Sequence, residues 1–273
     1  MQFAIQAAFR AAIGVGCVLA WGVAGAMAQE NPLQDGATWD DLKELVLKGA
    51  TPTSDADLFA LEAPMRAEDP AFVPVHLTQG AGGPPIEKLT VVIDENPAPV
   101  AAEITLGPAM MPLDLELRLR VNAYSNVRAI ATTGTSSLLA GRYVKANGGC
   151  AAPASKDIAA MAAEMGKMRF QEISSEKVGG KLHRVVKLMI RHPNASGFQR
   201  DQVTLLTVPA HFIDVLELRQ GNDLLFRMEA GISISEDPVF QFRFTDNGAE
   251  TIEVHAEDTE GNIFEGSFPL AGI

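Results

Sequence analysis

Residues 113–121 read LDLELRLRV, and their alternation decides the fold. Leu113, Leu115, Leu117, Leu119 and Val121 fall on one side of an extended chain, while Asp114, Glu116, Arg118 and Arg120 fall on the other. Side chains alternate across a strand with a period of two, so this segment predicts a half-buried antiparallel strand. Short β-branched or alternating runs surround it: KLTVVID (88–94), VAAEITLG (100–107) and VRAIATT (127–133), separated by Pro, Asn or Gly. Regular spacing of such strands argues for a β-sandwich.

The pattern then breaks and returns. APASKDIAAMAAEMGKM (152–168) is rich in Ala and Met, with Ser155 as an N-cap and Ile158, Met161, Ala162, Met165 and Met168 at helical spacing. It predicts a linker helix from about Ser155 to Lys167, its methionines packed rather than ligating a soft metal. Strands resume in KLHRVVKLMIRH (181–192), PVFQFRFTD (238–246) and AETIEVHAED (249–258), and Gly221-Asn222 reads as the turn of a hairpin. Upstream, TWDDLKELVLKG (38–49) predicts a short amphipathic helix capped by Thr38, with Leu42, Leu45 and Val46 on one face. The chain therefore reads as all-β, two β domains joined by a helix, with a short N-terminal helix.

The first 28 residues carry one charge, Arg10, then an apolar run ending Ala26-Met27-Ala28. That is an export signal, with cleavage expected before Gln29. No later run reaches the ~18 consecutive apolar residues of a membrane span. The formal charge of −12 disfavours nucleic acid and anionic membranes as partners. Cys17 lies inside the signal, so the mature chain retains Cys150 alone. An odd cysteine in an exported protein is reactive or bonded to another chain.

Cys150 stands in YVKANGGCAAPASKD (143–157), between Gly148, Gly149 and the small Ala151, Ala152. These neighbours predict a thin, mobile arm from which the thiol protrudes, its tip standing off by no more than roughly 18 to 20 Å. Lys145, Lys156 and the start of the Ser155 helix would favour the thiolate. A second feature is IRHPNASGFQRD (190–201): His192 and Pro193 break a strand, and Gly197, Arg200 and Asp201 shape the following loop. With no second ligand near it in sequence, His192 reads as turn-shaping. His76, His183, His211 and His255 are scattered singly and receive no chemistry, and HAEDTEGN (255–262) reads as a solvated turn, since it lacks EF-hand spacing. No phosphate loop, nucleophile elbow or zinc-protease motif is present, so no enzyme active site, metal or cofactor is expected.

NPAPVAAEITLGP (96–108), the alternating strand after it and YVKANGGCAAP together resemble SoxY, a sulfur-carrier subunit. LMIRHPNASGFQRD and FTDNGAETIEVHAEDTEGNIFEGS resemble its partner SoxZ. Both in one exported chain is similar to the SoxYZ-like carriers associated with quinoprotein dehydrogenases. The resemblance implies two immunoglobulin-like sandwiches: a SoxY-like domain over 29–153, a linker helix and connection over 154–180, and a SoxZ-like domain over 181–273. It also implies a periplasmic carrier, not an enzyme, on which Cys150 holds oxidised-sulfur intermediates. Partners would be sulfur-oxidation enzymes, c-type cytochromes or a quinoprotein dehydrogenase. The chain departs from the family in three ways. The SoxY arm ends its polypeptide with two more glycines, whereas Ala151 and Ala152 stand here and the chain continues. Asn194 and Ala195 replace a Met and Glu usual in SoxZ, and the signal lacks twin arginines. A different class of function, a non-covalent assembly protein with an incidental Cys150, is the competing expectation.

Overall fold

A computed structural model describes residues 31–80, 82–134, 136–155, 161 and 163–270. The export signal, its cleavage point and Lys156 lie outside the described residues. After helix α1 (Ala37–Leu47) come β1 (Phe59–Glu62), β2 (Val73–Gln79), β3 (Lys88–Ile93), β4 (Val100–Leu106), β5 (Asp114–Leu119), β6 (Ser125–Thr133) and β7 (Ser136–Val144). The second half supplies β8 (Met168–Val178), β9 (Lys181–Ile190), β10 (Ile213–Gln220), β11 (Asp223–Ala230), β12 (Val239–Thr245), β13 (Thr251–Asp258) and β14 (Ile263–Pro269). The protein is all-β, as its alternating segments require.

The strands form two sheets, ordered β1-β2-β5-β12-β9-β8 and β14-β13-β10-β11-β4-β3-β6-β7. Each half thus builds a sandwich, and the two are joined edge to edge through both sheets. In one sheet β5 pairs with β12, setting Leu115 opposite Phe242 and Leu117 opposite Phe240. In the other β4 pairs with β11, from Ala102 opposite Ala230 to Leu106 opposite Phe226. Pairing at these edges removes the open ladders that two separate sandwiches would expose there. The inward residues of both halves merge into one buried cluster, including Leu77, Leu117, Ile104, Leu218, Phe226 and Phe242.

Local expectations meet mixed outcomes. The hairpin turn is present: Gln220 pairs with Asp223 across Gly221-Asn222. Helix α1 is also present, but Gly36 rather than Thr38 is its N-cap, and it buries no residue. Its apolar face is left open, with Leu45 71% exposed. The helix is held instead through Trp39, whose ring lies 4.2 Å over the guanidinium carbon of Arg128, itself paired with buried Asp94. Of the linker helix, Met161, Ala163 and Glu164 are helical among the described residues, and Met161 is buried. Residues 156–160 and 162 lie outside the described residues, Ser155 is a bend, and Met165 and Gly166 form a turn, so the helix stops short of the expected Lys167. β8 occupies the later part of the stretch read as connection. Its polar sequence leaves most of its side chains exposed, so it carries little hydrophobic alternation to read.

Candidate functional site

The site assembles where the two halves meet, at the end of β5. Arg120 and Val121 leave that strand beside the segment that enters β12: the Arg120 N–H donates to the Ser233 carbonyl at 2.7 Å. Asn96 bolts this junction, its amide donating to the Arg120 carbonyl at 2.7 Å and to Ser233 Oγ at 2.9 Å. The chain leaving β7 then runs across the same end. The Gly148 N–H donates to Asn122 O at 2.7 Å and the Gly149 N–H to Val121 O at 3.1 Å.

These bonds hold Cys150 inward. It is a free cysteine with 0% exposure, which corrects the expectation of a protruding, mobile arm. The two glycines serve different ends. Gly148 adopts φ +79 with open space around its absent side chain, so it makes the turn. A Cβ on Gly149 would sit 2.1 Å from the Pro70 carbonyl oxygen and 2.6 Å from that of Val121, so only glycine lets the backbone close down. Slenderness here is a packing requirement. Ala151 is exposed and Ala152 half-buried beyond the turn.

The electrostatics are also the reverse of the expectation. Burial pushes the Cys150 thiol up to about 11, and the opposing influence is Arg120 rather than a lysine or a helix start. At neutral pH the seated group is a thiol, which is a poor nucleophile.

The loop after β9 closes over this arm, bringing the two sequence features together. Ser196 Oγ donates to the Cys150 carbonyl, and Gln199 Nε2 donates to the Ala152 carbonyl at 2.9 Å. Ser155 donates both its N–H and its hydroxyl to buried Glu236. Pro193 and Gly197 shape the loop; Gly197 has φ +86. Asn194, fully buried, takes φ +38, a left-handed value that asparagine tolerates. Its side chain ties the loop down, donating to Ser235 O at 3.1 Å and accepting from the Ile213 N–H at 3.1 Å. Arg200 bridges to Thr207, and Asp201 Oδ1 accepts from the N–H groups of Val203 at 3.0 Å and Thr204 at 2.6 Å. That tight turn thrusts Val203, Leu205 and Leu206 outward at 91, 69 and 70% exposure. Between this loop and Pro153–Ser155 opens a cleft of about 520 Å³, with His211 on its wall.

His192 is not alone, which corrects its reading as an isolated turn residue. The Asn194 N–H donates to its Nδ1 at 3.0 Å, so Nε2 carries the proton and donates to Asp258 Oδ2 at 3.2 Å. His211 Nε2 donates to the same oxygen at 2.7 Å. Asp258, read as part of a solvated turn, is buried, and its Oδ1 accepts from the N–H groups of Glu260 and Asn262, both at 2.9 Å. Burial alone would raise this carboxyl, but hydrogen bonds from Asn262, His211 and His192 outweigh it and hold it well below the usual range. Burial pushes His192 down. The ligand atoms of His192, His211 and Asp258 lie within 4.8 Å of one another, a donor set that could hold a divalent metal. As seated they satisfy each other as a hydrogen-bonded knot that clamps the loop to β13. Arg120, Ser196, Glu236, His211 and Asp258 were not singled out by sequence, because each is defined by neighbours tens of residues away.

Comparison with known families divides the chain where the two halves meet. Residues 43–150 match the family described as sulfur oxidation protein SoxY, a match that ends on Cys150. Residues 173–269 match the family described as sulphur oxidation protein SoxZ. No individual curated protein matches the chain.

Proposed function

Since the chain belongs to the SoxYZ-like sulfur-oxidation proteins, with a SoxY half and a SoxZ half fused, we propose that it is a periplasmic carrier, exported by cleavage before Gln29, that holds sulfur-oxidation intermediates covalently on Cys150. It acts with separate enzymes and is not itself one. The observation that carries this reading is the placement of the mature chain's single cysteine: at the end of the SoxY match, in a glycine turn, under the SoxZ-like loop. Gly148, Gly149, Ala151 and Ala152 form its arm; His192, Pro193, Gly197, Arg200 and Asp201 set the loop that covers it. The domain boundaries proposed are 29–153 and 181–273, with 154–180 between them, of which β8 joins the second sandwich by pairing with β9.

In this reading the seated thiol is a resting state. A partner enzyme draws the arm out before the thiol is loaded, since a thiol titrating near 11 is almost wholly protonated at neutral pH. Joining it to an anionic sulfur compound through a new S–S bond releases two electrons, taken one at a time by a partner's electron acceptor of the c-type cytochrome class, and the thiol proton, which goes to solvent.

The test is an intact mass of protein isolated from its own periplasm during growth on reduced sulfur, before and after reduction, beside Cys150→Ser. Reductant-labile adducts confined to the cysteine form are expected. An unmodified thiol under those conditions would overturn the carrier reading. It would favour a second one, non-covalent docking of a quinoprotein dehydrogenase or cytochrome, which the exposed Val203, Leu205 and Leu206 support.

A further inference from the structure

Among the described residues three arginines are buried, Arg120, Arg128 and Arg184. Two are neutralised in the ordinary way. Arg128 meets Asp94 through Nε at 2.9 Å and Nη2 at 2.9 Å, and Arg184 meets Asp246 and Glu172, each at 2.6 Å. Arg120, 1% exposed, makes no ion pair with a carboxylate among the described residues, where Arg128 and Arg184 do. Its Nη1 and Nη2 reach only the carbonyls of Gly149 at 3.3 Å and Asn194 at 3.4 Å, and its buried Nε has no partner at all. Burying a charge without a directly hydrogen-bonded counter-ion is costly in general. The nearby carboxylates Glu236 and Asp69 attract the guanidinium only through space; their hydrogen bonds are made with Ser155 and the Ala71 N–H rather than with Arg120. The Cys150 thiol is protonated at neutral pH and supplies no charge.

An oxidised sulfur group carried on a thiol ends in an oxyanion, a sulfonate or thiosulfonate. A guanidinium is a planar fork suited to such a group. We propose that Arg120 is the receptor for the anionic end of the conjugate on Cys150, so that the loaded arm can be retracted and its cargo shielded from water. This rests on Cys150 as the attachment point. It adds a selection rule, that anionic conjugates are retained in the seat and neutral ones are not. With the arm unloaded, the guanidinium falls back on the carbonyls of Gly149 and Asn194, one on each side of the junction.

The experiment uses the full mature chain, labelled in mild denaturant and refolded. Tetrathionate supplies the anionic conjugate: the Cys150 thiolate attacks a central sulfur, the central S–S bond breaks, and Cys150–S–S–SO3⁻ forms with release of thiosulfate. Methyl methanethiosulfonate supplies a neutral one, Cys150–S–S–CH3, with release of methanesulfinate. Both are verified by mass, and thermal midpoints are compared. The anionic form is expected to melt about 4 °C or more above the methyl form in the wild type. That gap should close in Arg120→Gln and survive in part in Arg120→Lys, which keeps the charge and loses the fork. Equal midpoints in the wild type, refolding of the methyl form alone, or an undiminished gap in Arg120→Gln would overturn the proposal. Should Arg120→Gln fail to fold, the wild-type gap and its behaviour in Arg120→Lys decide. Because the labels are chemical, a clean gap beside an unmodified periplasmic thiol would sink the carrier reading and leave the anion site standing, and the converse result would do the reverse.

Discussion

Gly148 and Gly149 are adjacent and identical in chemistry, yet their surroundings make opposite demands. Gly148 needs its left-handed backbone but has open space, so an alanine there strains the turn by about 1 kcal/mol without a clash. An alanine at Gly149 meets two backbone carbonyls that cannot step aside. Gly149→Ala is therefore expected to unseat Cys150 and raise its rate of alkylation by maleimide by at least tenfold. Gly148→Ala should raise it far less. The return of the thiol from about 11 to its ordinary 9.0 contributes about a hundredfold through the thiolate fraction, and gained access adds to it. Equal rates in wild type and Gly149→Ala would mean that the seat does not control access.

The loop after β9 is the element that turns a cysteine-bearing strand end into an enclosed site, and it hangs on the knot of His192, His211 and Asp258. Burial lowers His192 from its ordinary 6.5, so its neutral form contributes stability that is present above that value and lost as pH falls through the lower, folded one. Asp258 is held below its ordinary 3.8, so its contribution is present above that pH and lost in more acid solution. Denaturant unfolding should therefore show stability declining from about pH 6.5 downward and again below about pH 4. His192→Gln can accept from the Asn194 N–H and donate to Asp258 without titrating. It is expected to make the first decline shallower, leaving the part that His183, also lowered by burial, contributes, and to leave the second. An unchanged slope between pH 6.5 and 5 in that variant would show that His192 is not the titrating group.

At the scale of the whole molecule, the two halves share both sheets and one core, through β5–β12 and β4–β11. Neither half can unfold without opening two strand ladders and uncovering Phe226 and Phe242, which meet edge to face at 5.4 Å. Equilibrium unfolding should accordingly be a single transition. Fluorescence of Trp39, which reports the first half, and far-UV circular dichroism, which reports both, should share one midpoint. Two separated midpoints would mean that the halves are independent domains merely tethered.

The alternation in 113–121 and its neighbours was sufficient for the all-β class, because a period of two is a local property of one extended segment meeting one wet and one dry side. Composition likewise isolated Cys150, and the unusual glycine turn and His-Pro loop pointed to the regions that meet. What no local pattern contained was the contact between them. By alternation Arg120 belongs to the polar face of β5, and it is buried only because the arm after β7 and the segment before β12 cross that face from 29 and 113 residues away. For the same reason the sequence of the arm implies mobility: its small residues permit motion, but Pro70, Val121 and Ser196 supply the partners that hold it. His192, His211 and Asp258 are scattered in sequence and become one knot when β13 is laid beside the loop. Periodicity is written residue by residue, whereas burial and pairing depend on which distant surfaces share a volume, and that is decided by the joining of the two sandwiches.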